Sequence, residues 1–236
     1  MNINLWCGPR NISTALMYAF AQRADTQVFD EPLYAHYLRT SGAQHPGRNE
    51  ILGTQNPDGE QVIQDIILAK GKQPVRVYKQ MTHHLIDISR DFLAQTRNII
   101  VIRHPEQVLR SYAKVIAAPT LADIGIRQSA ELLRYLQANN CHVAVIDSQT
   151  LLSNPAHYLP KLCQACGILP DTAMLQWPAG PRPEDGIWAK YWYQNVHKST
   201  HLQPFPKDNT PLAPHLAPIL AQAMPYYEQL AKVAII

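Results

Sequence analysis

Short apolar runs rich in β-branched residues recur along the chain at residues 3–7, 75–78, 99–102 and 143–146. Between them, apolar positions return at helical spacing over residues 13–23, 61–70, 105–117 and 122–138. Strands of that composition are expected to be buried on both faces, in a parallel sheet covered by helices on each side. Further helical patterns follow at residues 155–166 and 214–231. Residues 41–58, with Gly, Pro, Asn and Gln, predict a long loop or lid, and residues 178–214, rich in Pro, aromatic and basic side chains, follow no clear period. No internal repeat or shift of composition divides the chain. The expectation is one α/β domain over residues 1–236, in three layers, α/β/α, around a central parallel sheet.

Composition narrows this little. A chain of 236 residues that is 46% hydrophobic and 17% charged has the material for one large core. Its longest apolar runs, such as residues 98–102, are far too short to cross a bilayer. The start, Met-Asn-Ile-Asn-Leu-Trp, lacks the basic and apolar regions of a signal peptide, so a cytoplasmic protein with no membrane partner is expected. A net charge of +3, with no run of Lys or Arg longer than two, argues against nucleic acid. It fits a small anionic ligand in a local basic pocket. Cys163 and Cys166 lie in a helical pattern with no second Cys or His pair at zinc spacing. Together with Cys7 and Cys141 they read as buried thiols.

Candidate chemistry begins at "NLWCGPRNISTALMYAF", residues 4–20, where an apolar strand runs through Gly8-Pro9-Arg10-Asn11-Ile12 into Ser13-Thr14 at the mouth of a helix. In open α/β sheets ligands bind beyond the carboxyl ends of the strands. A helix N-terminus there offers unsatisfied N–H groups and a partial positive charge to an anion. Ser13 and Thr14 are expected to cap the helix and to offer hydroxyls, and Arg10 brings a planar fork suited to phosphate or sulfate oxygens. The Walker pattern G-x-x-x-x-G-K-S/T fails: from Gly8, its second glycine falls on Ser13 and its lysine on Thr14. A second segment, "IIVIRHPEQVLRSYAK" at 99–114, ends a buried strand at Arg103 and places Pro105 at a first helical position. Arg103 and Ser111 are expected to converge on a phosphate other than the one held by residues 8–14.

Both segments resemble those of sulfotransferases that use 3′-phosphoadenosine 5′-phosphosulfate (PAPS). In that family a P-K/R-S-G-T-T loop cradles the 5′-phosphosulfate, and a later R-x-P-x-x-x-x-x-S segment grips the 3′-phosphate. Gly8, Pro9, Arg10, Asn11, Ile12, Ser13 and Thr14 match the first, with Ile12 where the family usually has glycine; Arg103, Pro105 and Ser111 match the second at full spacing. Residues 144–168 resemble the family's strand, apolar turn, Asn-Pro and helix ending in Gly, and the likeness covers roughly residues 3–190. The chain is also similar to a sulfotransferase-like subgroup marked by "DEPLYAHYLR" and "WYQNVHKST". The resemblance implies a P-loop-like sulfotransferase fold. It also implies PAPS as donor, 3′,5′-diphosphoadenosine as product, no metal, and an unidentified small acceptor.

Sulfuryl transfer needs a base for the acceptor's proton and cations for the developing charge. Arg10 is one such cation. "VRVYKQMTHHL" places Lys79 just past a strand, with His83 and His84 after it, and similarity to the Lys-x-His of cytosolic sulfotransferases makes Lys79 the cation and His83 or His84 the base. Similarity to tyrosylprotein sulfotransferases makes Glu31 the base instead; a pair of helix-capping carboxylates, Asp30 and Glu31, is the plainer alternative. Arg182, Lys190 and Lys198 are faintly similar to the residues that close over the 3′-phosphate, and Trp188 or Trp6 is placed to stack on adenine. Two competing readings are a P-loop phosphotransferase with Asp147 holding a metal, and a nucleotide-binding relative without turnover.

Overall fold

The protein is described by a computed structural model, over residues 1–113, 118–205 and 210–236. Five parallel strands form one sheet in the order β2-β3-β1-β4-β5. They are β1 (Asn2–Cys7), β2 (Thr26–Asp30), β3 (Val75–Met81), β4 (Arg97–Ile102) and β5 (Ala144–Asp147). Alternation along each strand sends side chains to opposite faces. Ile3, Leu5 and Cys7 of β1 join an apolar cluster with Val77, Val101 and Ile146, and Trp6, Tyr78, Ile100 and Val145 join the cluster on the other face. Both clusters are closed by helices, which makes the three layers expected of such apolar strands.

Helix α1 (Ser13–Ala21) packs Leu16, Met17 and Phe20 into the first cluster. Next come α2 (Tyr34–Ser41), ended by Gly42 at φ +70°, α3 (Arg48–Thr54) and α4 (Gly59–Val62), which runs on as a π-turn over Ile63–Ile67. After β4 lie α5 (Pro105–Tyr112), α6 (Leu121–Ile124) and α7 (Ile126–Ala138), the last packing Leu132, Leu133 and Leu136 into the second cluster. After β5 lie α8 (Ser148–Ser153), α9 (Pro155–Cys166), α10 (Ala189–Trp192) and α11 (Ala217–Ala231). Asn154 caps α9 by accepting from the His157 N–H at 3.2 Å, Pro155 opens it and Gly167 at φ +75° ends it, as the Asn-Pro and Gly in the sequence suggest. Among the described residues no helix is long and apolar enough to cross a membrane.

Four expectations change. The segment at 41–58 is not a plain loop, because α3 lies in it and buries Ile51 against α2. Strand β2 is an additional edge strand; its short sequence TQVFD, with only Val28 and Phe29 apolar, does not announce it. Strand β3 continues through Lys79 to Met81, so Lys79 lies within the ladder, opposite Asp30. The helix expected over 122–138 breaks at Gly125, φ +70°, since Gly8 packs there: a Cβ on Gly8 would overlap the carbonyl oxygen of Ile124. The expected helix from Pro105 is present to Tyr112, and its continuation over 114–117 lies outside the described residues.

Candidate functional site

Strand β1 has β3 on one side and β4 on the other, and the chain leaves β1 towards β2 but leaves β4 towards β5. The turns after β1 and β4 therefore diverge, which opens a crevice at the carboxyl ends of the strands. A cleft of about 1750 Å³ lies there, lined by residues 8–15 after β1, Glu31 after β2, Thr82, His83 and His84 after β3, and Arg103 after β4.

One end of the cleft is cationic. Ile12 is the residue before α1 and makes no side-chain cap; the first backbone bond of the helix runs from the Leu16 N–H to the Ile12 carbonyl. The N–H groups of Ser13, Thr14 and Ala15 consequently have no partner within the helix. The capping expected of Ser13 and Thr14 does not occur, because the chain enters the helix one residue earlier and Ser13 is buried beside Cys7. Ile12 belongs to the apolar cluster with Leu16 and Met17 and needs no glycine freedom, at φ −93°. The left-handed position falls instead on Arg10, φ +58°, a strained conformation that costs about 1–3 kcal/mol and is held by its neighbours. The Arg103 Nη1 donates to the Arg10 carbonyl at 2.7 Å, and the Asn11 amide donates to the Val101 carbonyl at 2.9 Å.

Arg10 and Ser111 also meet, since the Arg10 Nε donates to the Ser111 Oγ at 3.0 Å. Residues expected at two separate anion grips are thus linked by a side-chain hydrogen bond. Arg103 donates its Nε to Gln107 at 3.2 Å, and its guanidinium lies 3.5 Å from the centroid of the Phe205 ring. Burial, and then the like charge of Arg10, push the Arg103 guanidinium down to about 10. Neither Arg10 nor Arg103 pairs with a carboxylate among the described residues. Two crowded guanidiniums facing the open end of a helix form a site whose electrostatics call for an anion.

Several sequence candidates lie elsewhere. Arg182 places its guanidinium 5.2 Å from the Tyr18 ring and takes a backbone bond from its own N–H to Asp185, off the cleft. Lys198 is exposed and Lys190 bonds Glu50 of α3 at 2.6 Å, and neither lines the cleft. Trp6 is fully buried off the cleft with its N–H on Asn98 at 3.0 Å; Trp188 does line the cleft but is 2% exposed, with its N–H on Tyr193 at 3.2 Å, which leaves little of the indole open to adenine. Asp147 caps α8, accepting from the N–H groups of Gln149 and Thr150, and its other oxygen takes the Tyr227 hydroxyl. All four cysteines are free thiols, three of them buried and Cys141 partly exposed. Among the described residues no three His, Cys, Asp or Glu side chains gather as a metal-binding group.

The other end of the cleft is a buried polar network. The Lys79 ammonium donates to Asp30 at 2.9 Å, to Glu31 and to the Tyr193 hydroxyl at 2.7 Å. Neither carboxylate caps α2; Asp30 also accepts from the Gly186 N–H and the Tyr193 hydroxyl. Glu31 turns at φ +44°, and its second oxygen lies 3.8 Å from the His84 Nε2. Burial raises the Glu31 carboxyl, Lys79 holding it down in part and Asp30 adding to the rise. Burial works against charge on Lys79, but Asp30 and Glu31 outweigh it and hold the ammonium above its ordinary range. Burial pushes His83 down to about 4 and His84 well below its usual value, so both imidazoles are neutral at pH 7.

The sequence reading missed Tyr193, Gln107 and Phe205. No local pattern marks Tyr193, which lies 114 positions from Lys79; Gln107 was legible, in the first turn of the helix that follows Arg103.

Comparisons with known proteins follow the same lines. A family model described as Sulfotransferase domain matches residues 1–234. Two proteins of Arabidopsis thaliana, named branched-chain-amino-acid aminotransferase-like protein 1 and 2, are 38% identical over 199 residues and 36% identical over 232. Those matches cover 84% and 97% of this chain but 36% and 41% of the relatives, so the chain spans about two fifths of their length. Among solved structures, the sulfotransferase domain of the Synechococcus PCC 7002 olefin synthase has a TM-score of 0.59 at 17% identity, over 94% of this chain and 93% of that one. A sulfotransferase from Alicyclobacillus acidocaldarius has a TM-score of 0.54 at 14% identity, over 100% and 96% of the two chains. These two likenesses show a shared fold.

Proposed function

Since the chain belongs to the sulfotransferase-domain family, we propose that it moves a sulfuryl group from PAPS to a hydroxyl or amine of a small acceptor. The observation that carries this reading is the meeting of Arg10, Arg103 and Ser111 at the open end of α1, with no carboxylate paired to either arginine among the described residues. The donor set fits a nucleotide with two separate phosphate groups. Unpaired N–H groups of Ser13, Thr14 and Ala15 suit the 5′ end, and the Arg103 guanidinium with the Ser111 hydroxyl suits a 3′-phosphate. Arg10, tied to Ser111 in this structure, is positioned to serve both.

When bound, PAPS supplies the activated sulfuryl group and a stable leaving phosphate. The acceptor oxygen or nitrogen forms the new bond to sulfur as the sulfur–oxygen bond to the leaving phosphate breaks. Arg10 and the α1 N–H groups stabilise the charge that moves onto that phosphate. The acceptor's proton goes to Glu31 or to His84, whose facing atoms stand 3.8 Å apart. Lys79 fixes the Glu31 carboxylate from its other oxygen.

Thermal unfolding with added nucleotide tests the reading. At about 100 times its dissociation constant, 3′,5′-diphosphoadenosine is expected to add about 2.7 kcal/mol, and ATP with Mg²⁺ is expected to add much less. Stabilisation by ATP with Mg²⁺ alone would replace the sulfuryl reading with a phosphotransferase.

A further inference from the structure

In the sulfuryl-transfer reading Arg103 carries the 3′-phosphate, yet its own chemistry does little to keep it in place. An arginine side chain turns about several single bonds, and this one feels the like charge of Arg10. The carboxylate it also feels, Asp147, is engaged by the N–H groups of Gln149 and Thr150 and by the Tyr227 hydroxyl.

Three other groups hold the guanidinium. Gln107 accepts from its Nε at 3.2 Å, and the Arg10 carbonyl accepts from Nη1 at 2.7 Å. Gln107 is itself fixed, since its Nε2 donates to the Gln149 Oε1 at 3.1 Å. The third group is Phe205, whose ring centroid lies 3.5 Å from the Arg103 Cζ. A guanidinium standing upright on that ring would bring a nitrogen about 1.3 Å nearer still, inside van der Waals contact, so the two planes lie close to parallel. Phe205 therefore covers a face and leaves the edge of the group open. A guanidinium has five N–H donors, all in its plane. Those not used by Gln107 and the Arg10 carbonyl, both on Nη2 and one on Nη1, have no partner among the described residues. Phosphate oxygens are received on such an edge.

The chain places Phe205 there for reasons of its own. Leu202 is 4% exposed in the apolar cluster that holds α1, Phe205 packs against the same cluster, and Pro204 restricts the backbone between them. Pro204 and Phe205 both line the cleft. We propose that Phe205 is a positioning residue for Arg103: its ring keeps the guanidinium flat, so that the open N–H edge meets the 3′-phosphate. The proposal rests on the sulfuryl-transfer reading for the identity of the nucleotide. A leucine in its place fills much of the space but offers no ring face to the cation.

Calorimetric titration of 3′,5′-diphosphoadenosine and adenosine 5′-phosphate, which differ by the 3′-phosphate alone, reads the effect as a ratio of affinities. Phe205→Leu is expected to lower that ratio about tenfold, through the diphosphate, and to leave the monophosphate within about twofold of the parent. Phe205→Tyr keeps the ring and is expected to keep the parent's ratio, a rescue that a residue serving only as filler does not require. In an Arg103→Ala background, Phe205→Leu is expected to change the diphosphate's affinity less than about twofold, because the two side chains act as one unit. Phe205→Met, also without a ring, repeats the reading if the leucine variant fails to fold. An unchanged ratio in ringless variants of a parent that prefers the diphosphate overturns this proposal alone. So does an equal loss for both nucleotides, which would make Phe205 a wall for the nucleoside. A parent with no preference for the diphosphate overturns the proposal together with the 3′-phosphate reading.

Discussion

Replacing Lys79 by methionine, close to it in length but without charge, isolates the polar network at the acceptor end. The Lys79 side chain is 3% exposed, that of Asp30 1% and that of Glu31 9%. The ammonium gives bonds to both carboxylates and to the Tyr193 hydroxyl. Three charge-assisted bonds at about 1.5–3 kcal/mol each come to about 4.5–9 kcal/mol, at or above the range for breaking a buried pair. Protonation of one carboxyl relieves part of that cost, so the expected loss is about 3–5 kcal/mol at neutral pH. For a chain of this size that is a fall in Tm of about 6–20 °C. Without the ammonium, the Glu31 carboxyl loses the cation that holds it down and rises further above its unfolded value. Its contribution is then fully present below the unfolded pKa and is lost as pH rises through the folded one. Urea unfolding of parent and variant at pH 5 and pH 8 reads this directly, with the larger gap at pH 8. A loss below about 1 kcal/mol at both values, or a gap that widens on acidification, refutes the reasoning.

Other outcomes follow from single contacts. Arg103→Ala is expected to weaken 3′,5′-diphosphoadenosine by about 2–3 kcal/mol, some 30- to 150-fold, while leaving adenosine 5′-phosphate within a few fold; calorimetric titration of both nucleotides decides. The parent protein is expected to lose stability as pH falls from about 6.5 towards 4. His83 and His84 are depressed in the folded state, so the stability they lend is present above the unfolded pKa of 6.5 and disappears below it. Urea midpoints at pH 7.5, 5.5 and 4.5 measure that fall, which the raised Glu31 partly offsets. Gly8→Ala drives a Cβ into the Ile124 carbonyl and is expected to cost about 1–3 kcal/mol and to weaken nucleotide-induced stabilisation, both visible in one thermal-shift series.

The central strands were legible because burial on both faces leaves a continuous apolar run, and β1, β3 and β4 carry one each. Strand β2 was not, since TQVFD is short and only Val28 and Phe29 in it are apolar. The anion end was readable from two local segments, as Arg10 and Arg103 each sit at a strand-to-helix turn whose form the sequence announces. What local pattern could not supply was their meeting: Arg10 touches Ser111 across 101 positions, and only the sheet order brings them together. The acceptor end shows the same limit more strongly. Asp30 and Glu31 look like helix caps in sequence, and it is Lys79, one strand away in the ladder, that claims them. The two tryptophans misled for a simple reason: a large ring gains more from burial than from waiting at a surface for a ligand.

A crystal structure with 3′,5′-diphosphoadenosine tests the central claim most directly. The account predicts the 5′-phosphate on the N–H groups of Ser13 and Thr14 and the 3′-phosphate between the Arg103 guanidinium and the Ser111 hydroxyl. A nucleotide bound outside this cleft, or one whose 3′-phosphate touches neither Arg103 nor Ser111, would contradict it.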